Sequence, residues 1–260
     1  MIYTKPVSSE IALEYLDKSE LLPNKLRSAE LSKLPLQLRE RAFFSAGVLQ
    51  LEFLQAAIDR VRSLVSGQSD AATMRLELKK ILASLDYQPA QNTTGTLQDL
   101  SSDKRLNLIL ETNVSQARHY GSYQADQDPV VLELWPAQEL RRVGGTPVAP
   151  RPWHQKWVQA GGTLYAGRMI ARKNDPIWTR SQATGGFNRF GTPYPPYDYN
   201  SGMRLRDIDR EEAIALGVIQ PDDPAPEPAP RDFVGAEAIS DPDQRAYLQT
   251  IWDKEGGANA

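Results

Sequence analysis

Between residues 36 and 85 the apolar side chains fall into two helical stripes, and no other feature of the chain constrains its fold as tightly. Leu51, Leu54, Ile58, Val61 and Val65 step by 3, 4, 3 and 4 residues, which sets them on one face of a helix. The spacing predicts a helix over residues 36–65, with Pro35 suited to its first turn and Gly67 to its C-terminal cap. Ser69 then stands where an N-cap belongs, and Met74, Leu78, Ile81, Leu82 and Leu85 stripe a second helix to about residue 85. The short Gly-Gln-Ser link between them predicts an antiparallel hairpin. Ile11, Leu13, Tyr15 and Leu16 suggest a shorter helix before Pro23, so residues 1–98 read as a helical N-terminal region.

Residues 88–95, polar and holding Pro89 and Gly95, read as a linker. A third helix is expected from Ser101 or Ser102 to about Tyr120, burying Leu106, Leu110, Val114 and Ala117. Beyond Asp126 the texture changes. Residues 130–134 suggest a strand, Pro147, Pro150 and Pro152 break the chain, and residues 153–160 suggest a short helix ended by Gly161-Gly162. Residues 184–202, rich in Gly, Pro, Tyr and Asn, signal a structured loop, followed by a strand at 203–208 and a helix at 210–216 stopped by Gly217. The expected architecture is α+β: a helical region over 1–98, a compact mixed domain over 99–220, and a Pro-rich linker with an acidic tail over 221–260. The tail is expected to carry one short helix around 243–252, and there is no internal repeat.

A net charge of −3 conceals a segregation. Residues 141–210 carry 12 basic and 4 acidic side chains, whereas residues 211–260 carry 3 basic and 11 acidic ones. Two readings follow: oppositely charged regions that pack together or stay solvated, or a basic surface that meets nucleic acid or an acidic partner. No groove-reading motif accompanies the basic stretch. No apolar run reaches the roughly 18–20 residues a bilayer requires, so no membrane role is expected. The N-terminus has no signal-peptide pattern. With no cysteine and two histidines, His119 and His154, thiolate chemistry is excluded and a His-rich metal site is not expected.

The segment Arg151-Pro-Trp-His154 could place a general base beside a guanidinium, but the sequence marks no orienting partner and no reacting group. The plainer reading makes Trp153 and Trp157 core anchors, with His154 sharing the face of Trp157 and bonding a neighbouring loop. Asp175, Asp198, Asp207 and Asp209 match no calcium loop; Asp175 precedes Pro176 as a turn initiator, and Asp198 is placed to bond backbone amides. Thr112 and Asn113 on the third helix would need polar partners, in a loop or another subunit. The Gly161-Gly162 and Gly185-Gly186 pairs read as turns, and no Walker loop, nucleophile elbow or His-Glu-x-x-His motif is present. The aromatic and proline residues of 187–199 fit either an interaction surface or a cap over the domain's own core.

Taken in order, these segments resemble the phage head-morphogenesis, or Mu-type minor head, family over residues 38–219. Leu38-Arg-Glu-Arg-Ala-Phe-Phe-Ser-Ala-Gly47 is similar to its N-terminal helix, and Arg105 with Glu111-Thr112-Asn113, Ala117 and Tyr120 is similar to a later one. Arg151-Pro-Trp-His154 before Gly161-Gly162, then Asp175-Pro-Ile-Trp178, then Pro195-Pro-Tyr-Asp-Tyr-Asn-Ser-Gly-Met-Arg204 resemble the family's remaining motifs. Ser201 and Met203 stand where the closing element usually has cysteines, so no thiol or metal role attached to those carries over. The resemblance implies a virion protein of few copies that contacts the portal, the major capsid protein or packaged DNA, and is made in the host cytoplasm. It implies binding roles for Arg105, Asn113, Arg151, His154, Asp175, Trp178 and Arg204, with no catalytic residue, cofactor, metal or small-molecule substrate. The alternatives are a phage-linked hydrolase or toxin using His154 with Arg151 and Asp175, and a non-viral DNA-binding module.

Overall fold

The computed structural model describes residues 10–25, 42–43, 45–143, 151–180 and 185–229. They form two compact units, one up to Arg118 and the other from His119 onward, with the division falling inside a long helix. The class is mixed α+β. The expected short helix at 243–252 and the acidic tail beyond residue 229 lie outside the described residues.

The first unit is built on helices. Helix α1 (Glu10–Asp17) buries Ala12, Tyr15 and Leu16. Strand β1 (Glu20–Leu21) pairs in parallel with β2 (Ala42–Phe43). Helix α2 spans Leu51–Val65, not the whole of 36–65: Ala42 and Phe43 are extended, and Gly47 at φ +68° sits in a turn before the helix. Residues 35–41, including the expected Pro35 start, lie outside the described set. The apolar stripe itself begins only at Leu51, and Leu51 is exposed while Leu54, Ile58, Val61 and Val65 are buried. Gly67 closes α2 at φ +73°, a conformation glycine reaches without Cβ strain.

Helix α3 (Ala71–Ser84) is capped by Asp70 instead of Ser69, because the Asp70 carboxylate accepts from the amides of Ala72 at 2.9 Å and Thr73 at 3.0 Å. Met74, Leu78 and Leu82 are buried, and α3 packs on α2 with Arg60 donating to Glu77 at 3.1 Å. The expected linker before the third helix is a pinned loop. Buried Asp99 accepts from the amides of Gly95 at 2.8 Å and Ser101 at 2.9 Å, and the Tyr87 hydroxyl accepts from the amide of Leu100 at 2.9 Å. Ser102 then caps helix α4 (Asp103–Ala125) through the amide of Arg105 at 3.1 Å. The helix runs past the expected end at Tyr120; Leu106, Leu110 and Ala117 are fully buried.

In the second unit, residues 130–134 belong to helix α5 (Pro129–Leu134), not to a strand. The decisive signal is Asp128-Pro129: the aspartate accepts from Val130 N at 2.8 Å, and proline at the first helical position needs no donor. Four strands follow, β3 (Ala137–Arg142), β4 (Leu164–Tyr165), β5 (Arg168–Arg172) and β6 (Met203–Ile208), in an antiparallel sheet ordered β4-β5-β3-β6. Ala166 and Gly167, at φ +49° and +76°, make the two-residue turn between β4 and β5. Helix α6 (Trp153–Gln159), a 3-10 turn at Pro176–Trp178 and the loop 185–202 supply the core against Leu140, Met169, Ala171 and Met203. A second cluster joins Ala137, Ile170 and Ile208 to Ala213 of helix α7 (Arg210–Ala215) and to Ile219. The strand pleat alternates these two sets between the faces of the sheet.

Candidate interaction site

Of the residues marked in the second unit, Trp178 lies in an aromatic cluster with Trp157, Phe187 and Tyr197, and the others have separate surroundings. Trp157 is fully buried, with ring centroids 5.2 Å from Trp178 and 5.3 Å from Phe187. Tyr197 lies 5.2 Å from Phe187 and stacks on Trp178 at 6.3 Å. Each indole donates to a backbone carbonyl, Trp157 to Thr163 at 2.8 Å and Trp178 to Arg172 at 2.7 Å, so burial leaves neither N–H unpaired. Gly162 is more than a turn residue here: a Cβ on it would stand 2.3 Å from Trp157 Nε1. Gly186 is equally confined, since its Cβ would meet the carbonyl oxygen of Arg180 at 1.7 Å.

Of the two readings of the aromatic-proline loop, the cap over the core is the one realised. Phe187, Tyr194 and Tyr197 point inward, and Tyr194 packs on Tyr120 and Tyr123 at 5.6 and 5.5 Å. The loop is internally satisfied by Asn188, a residue the sequence reading passed over. Its buried amide donates to the carbonyls of Trp178 and Thr192, both at 2.7 Å, and accepts from the amides of Phe190 at 2.9 Å and Gly191 at 2.8 Å. An asparagine three residues before a glycine in a turn-rich stretch was the available signal.

Asp198 is the electrostatic centre of the same loop. Its buried carboxylate pairs with Arg151 at 2.7 Å and Arg189 at 2.6 Å, and accepts from the amide of Tyr199 at 2.8 Å. Arg151 also donates to the carbonyl of Tyr199 at 2.7 Å. Asp175 accepts from Ile177 N at 2.8 Å and so caps the 3-10 turn that carries Trp178. His154 is exposed, one residue past Trp153, and so is turned away from Trp157 instead of sharing its face. Trp153 and Trp157, four apart, are the pair that share the buried side. Arg204 is exposed and lies 3.0 Å from the ring of His119.

The other two marked residues lie in the first unit. Arg105 donates to Ser45 Oγ at 2.6 Å and to the carbonyl of Ala46 at 2.7 Å, holding the turn before α2. Asn113 donates to the carbonyl of Ile109 at 2.8 Å, within its own helix.

The basic stretch is largely spent inside the second unit. Glu139 receives Arg168 through two bonds, at 3.0 and 2.7 Å, and Arg206 at 3.0 Å. Glu212 of α7 receives the same two guanidinium groups at 2.7 and 2.8 Å. The ring staples three strands to the helix above them. Lys173 is buried between Asp207 at 2.9 Å and Asp126 at 3.8 Å. Burial holds the Asp126 carboxyl above the usual range, while hydrogen bonds from Arg168, with help from Arg206, hold Glu139 below it. A depressed carboxyl stabilises the fold above its unfolded-state pKa and loses that contribution as pH falls through its folded-state value. The thermal midpoint of the wild type is therefore expected to fall on acidification below the ordinary glutamate range. In Glu139→Gln it should start lower and fall less over the same window, as followed by calorimetry at stepwise pH.

Among the described residues, no group of three or more His, Asp or Glu is gathered as a metal-ligand set, and no helix is long and apolar enough to cross a membrane. The chain matches no protein-family model, no curated protein and no solved structure.

Proposed function

We propose that this protein is a structural component of a bacteriophage head, a minor head protein that acts in capsid assembly or DNA packaging by contact with the portal or the major capsid protein. The supporting observation is what its reactive-looking side chains do. Arg151 and Asp175 are committed to Asp198 and to a turn amide, on separate tasks from the exposed His154. That arrangement favours a scaffold over the hydrolase alternative, which needs those three groups aligned. The cations of 141–210 are mostly engaged by carboxylates and carbonyls of the same unit, which favours a protein partner over packaged DNA.

Helix α5 offers a contact surface. Val130, at 65% exposure, and Leu134, at 49%, lie one turn apart, with Trp135 beside them. The double variant Val130→Glu, Leu134→Glu is expected to keep its thermal midpoint and yet fail to enter particles, measured by quantitative mass spectrometry of purified heads. A His154→Ala variant should enter them normally. Exclusion of His154→Ala together with normal entry of the α5 variant would contradict the proposal.

A further inference from the structure

One face of the sheet holds two successive pairs of charged side chains, and only the first pair is balanced. Residues directly opposite each other on β3 and β6 share a face, so Ala137 with Ile208, Glu139 with Arg206, and Arg141 with Arg204 follow one another along it. The first of these pairs is apolar and buried with Ala213 of α7. Glu139 and Arg206 are joined by Arg168 and by Glu212 of α7 into a ring of two guanidinium groups and two carboxylates. The last pair is two arginines. Like charges opposite each other on neighbouring strands destabilise a sheet, whereas a Glu–Arg pair in the same place would support it. Arg151, Arg168, Arg172, Arg189, Arg206 and Arg210 of this unit each pair with a carboxylate. Arg141 and Arg204 are exposed, and among the described residues neither meets one. The flanking sequence supplies none either: residues 143–150 after β3 and residues 199–202 before β6 contain no Asp or Glu. Beside Arg204 stands the ring of His119 of α4, at 3.0 Å.

We propose that Arg141 and Arg204, with His119 at their side, form a docking point for a carboxylate on an acidic segment of a partner protein. The neighbouring ring shows the geometry in its filled form. There one carboxylate oxygen of Glu139 receives both Arg168, at 2.7 Å, and Arg206, at 3.0 Å. At Arg141 and Arg204 the two donors are present and the acceptor is left to the partner. Opposed Cβ atoms in an antiparallel pair lie about 5 Å apart, so one carboxylate can bridge the two guanidinium groups. Keeping two arginines face to face lowers stability, which is the pattern of a position held for function. Both side chains stay in water, so the contact serves recognition and rate of encounter more than tightness. A phosphate backbone fits less well. The ring next to the pair is electrically balanced, so positive charge is confined to one spot, and a second phosphate along the face meets the ring instead of a further cation. This does not rest on the phage-head reading and is tested apart from it.

The chain has two histidines, so the ring signals of His119 can be followed by NMR with those of His154 as an internal reference. The His154→Ala variant gives the assignment. Hexaglutamate added at fixed pH and low salt is expected to shift the His119 signals saturably and to leave those of His154 in place. The shift should shrink as added salt screens the contact. Arg141→Glu should abolish the response and raise the thermal midpoint, because it turns the opposed arginines into a Glu–Arg pair. Arg204→Gln should weaken the response several-fold. Lys80→Glu, at an exposed position in the first unit, changes the net charge as much as Arg141→Glu does and should respond like the wild type. An unmoved His119 overturns the proposal, whether the site is empty or filled by the chain's own acidic residues. So does a response that survives Arg141→Glu. Saturation by a single-stranded oligonucleotide of equal charge at a lower concentration than hexaglutamate overturns the choice of an acidic protein segment.

Discussion

Replacing Trp157 by alanine is expected to lower the stability of the protein by about 3–5 kcal/mol, the range for deleting a fully buried aromatic side chain. The residue touches Trp178 and Phe187, and its indole closes the carbonyl of Thr163. Truncation opens a cavity beneath the loop 185–202 and orphans that carbonyl. Trp157→Phe fills most of the space and should recover part of the loss. Urea denaturation followed by tryptophan fluorescence of the remaining indoles measures both; a loss for the alanine variant under about 1 kcal/mol would contradict the packing described.

The second large effect is expected at Asp198. Its carboxylate is 7% exposed and sits between Arg151 and Arg189, whose side chains are 29% and 30% exposed. Asp198→Ala leaves two guanidinium groups facing each other without their anion. The expected cost is about 3 kcal/mol, the low end for breaking a buried pair, since both cations keep some water. Asp198→Asn retains an acceptor for the amide of Tyr199 and should lose less. In a double-mutant cycle, removing Arg151 in an Asp198→Ala background should cost much less than removing it from the wild type. Equal costs in the two backgrounds would mean that the pair is not coupled.

These two residues also show how unevenly the sequence discloses the molecule. The helices striped by Leu54, Ile58, Val61 and Val65 and by Met74, Leu78 and Leu82 were legible because a 3.6-residue period is written directly in apolar positions. Trp153 and Trp157 were legible as anchors because a large aromatic side chain is usually buried with one polar contact. The strands β3 and β5 were not, because one face of each carries Glu139, Arg168 or Arg172, whose pairing across the sheet erases the alternation that marks a half-buried strand. The start of α2 was misplaced because Ala42 and Phe43, apolar and near the stripe, pair with a distant segment instead. Asp198 was recognised as a loop stabiliser through backbone amides, but its two arginines, one 47 residues earlier, come together only in three dimensions. Residues 221–229 were read as a linker because proline content reports stiffness and says nothing of what the stiff segment lies against; Arg210 and Arg172 hold its carbonyls against the second unit.

The segregation of charge gained its meaning in the same way. A stretch with 12 basic and 4 acidic side chains suggests a surface for nucleic acid, yet its arginines largely hold strands and turns together and grip the carbonyl of Pro224. Arg141 and Arg204 are both exposed and stand opposite each other in the β3–β6 register, but one such pair gives no continuous track for a phosphate backbone.

The most direct test of the functional reading is to make phage particles with and without this chain and compare them by electron microscopy, with mass spectrometry of the purified heads. The account predicts that the chain co-purifies with heads in a few copies each, and that particles made without it are fewer or malformed. Normal particle number and form without it, and a chain found only in the unassembled fraction, would contradict the proposal that this protein serves to build a viral head.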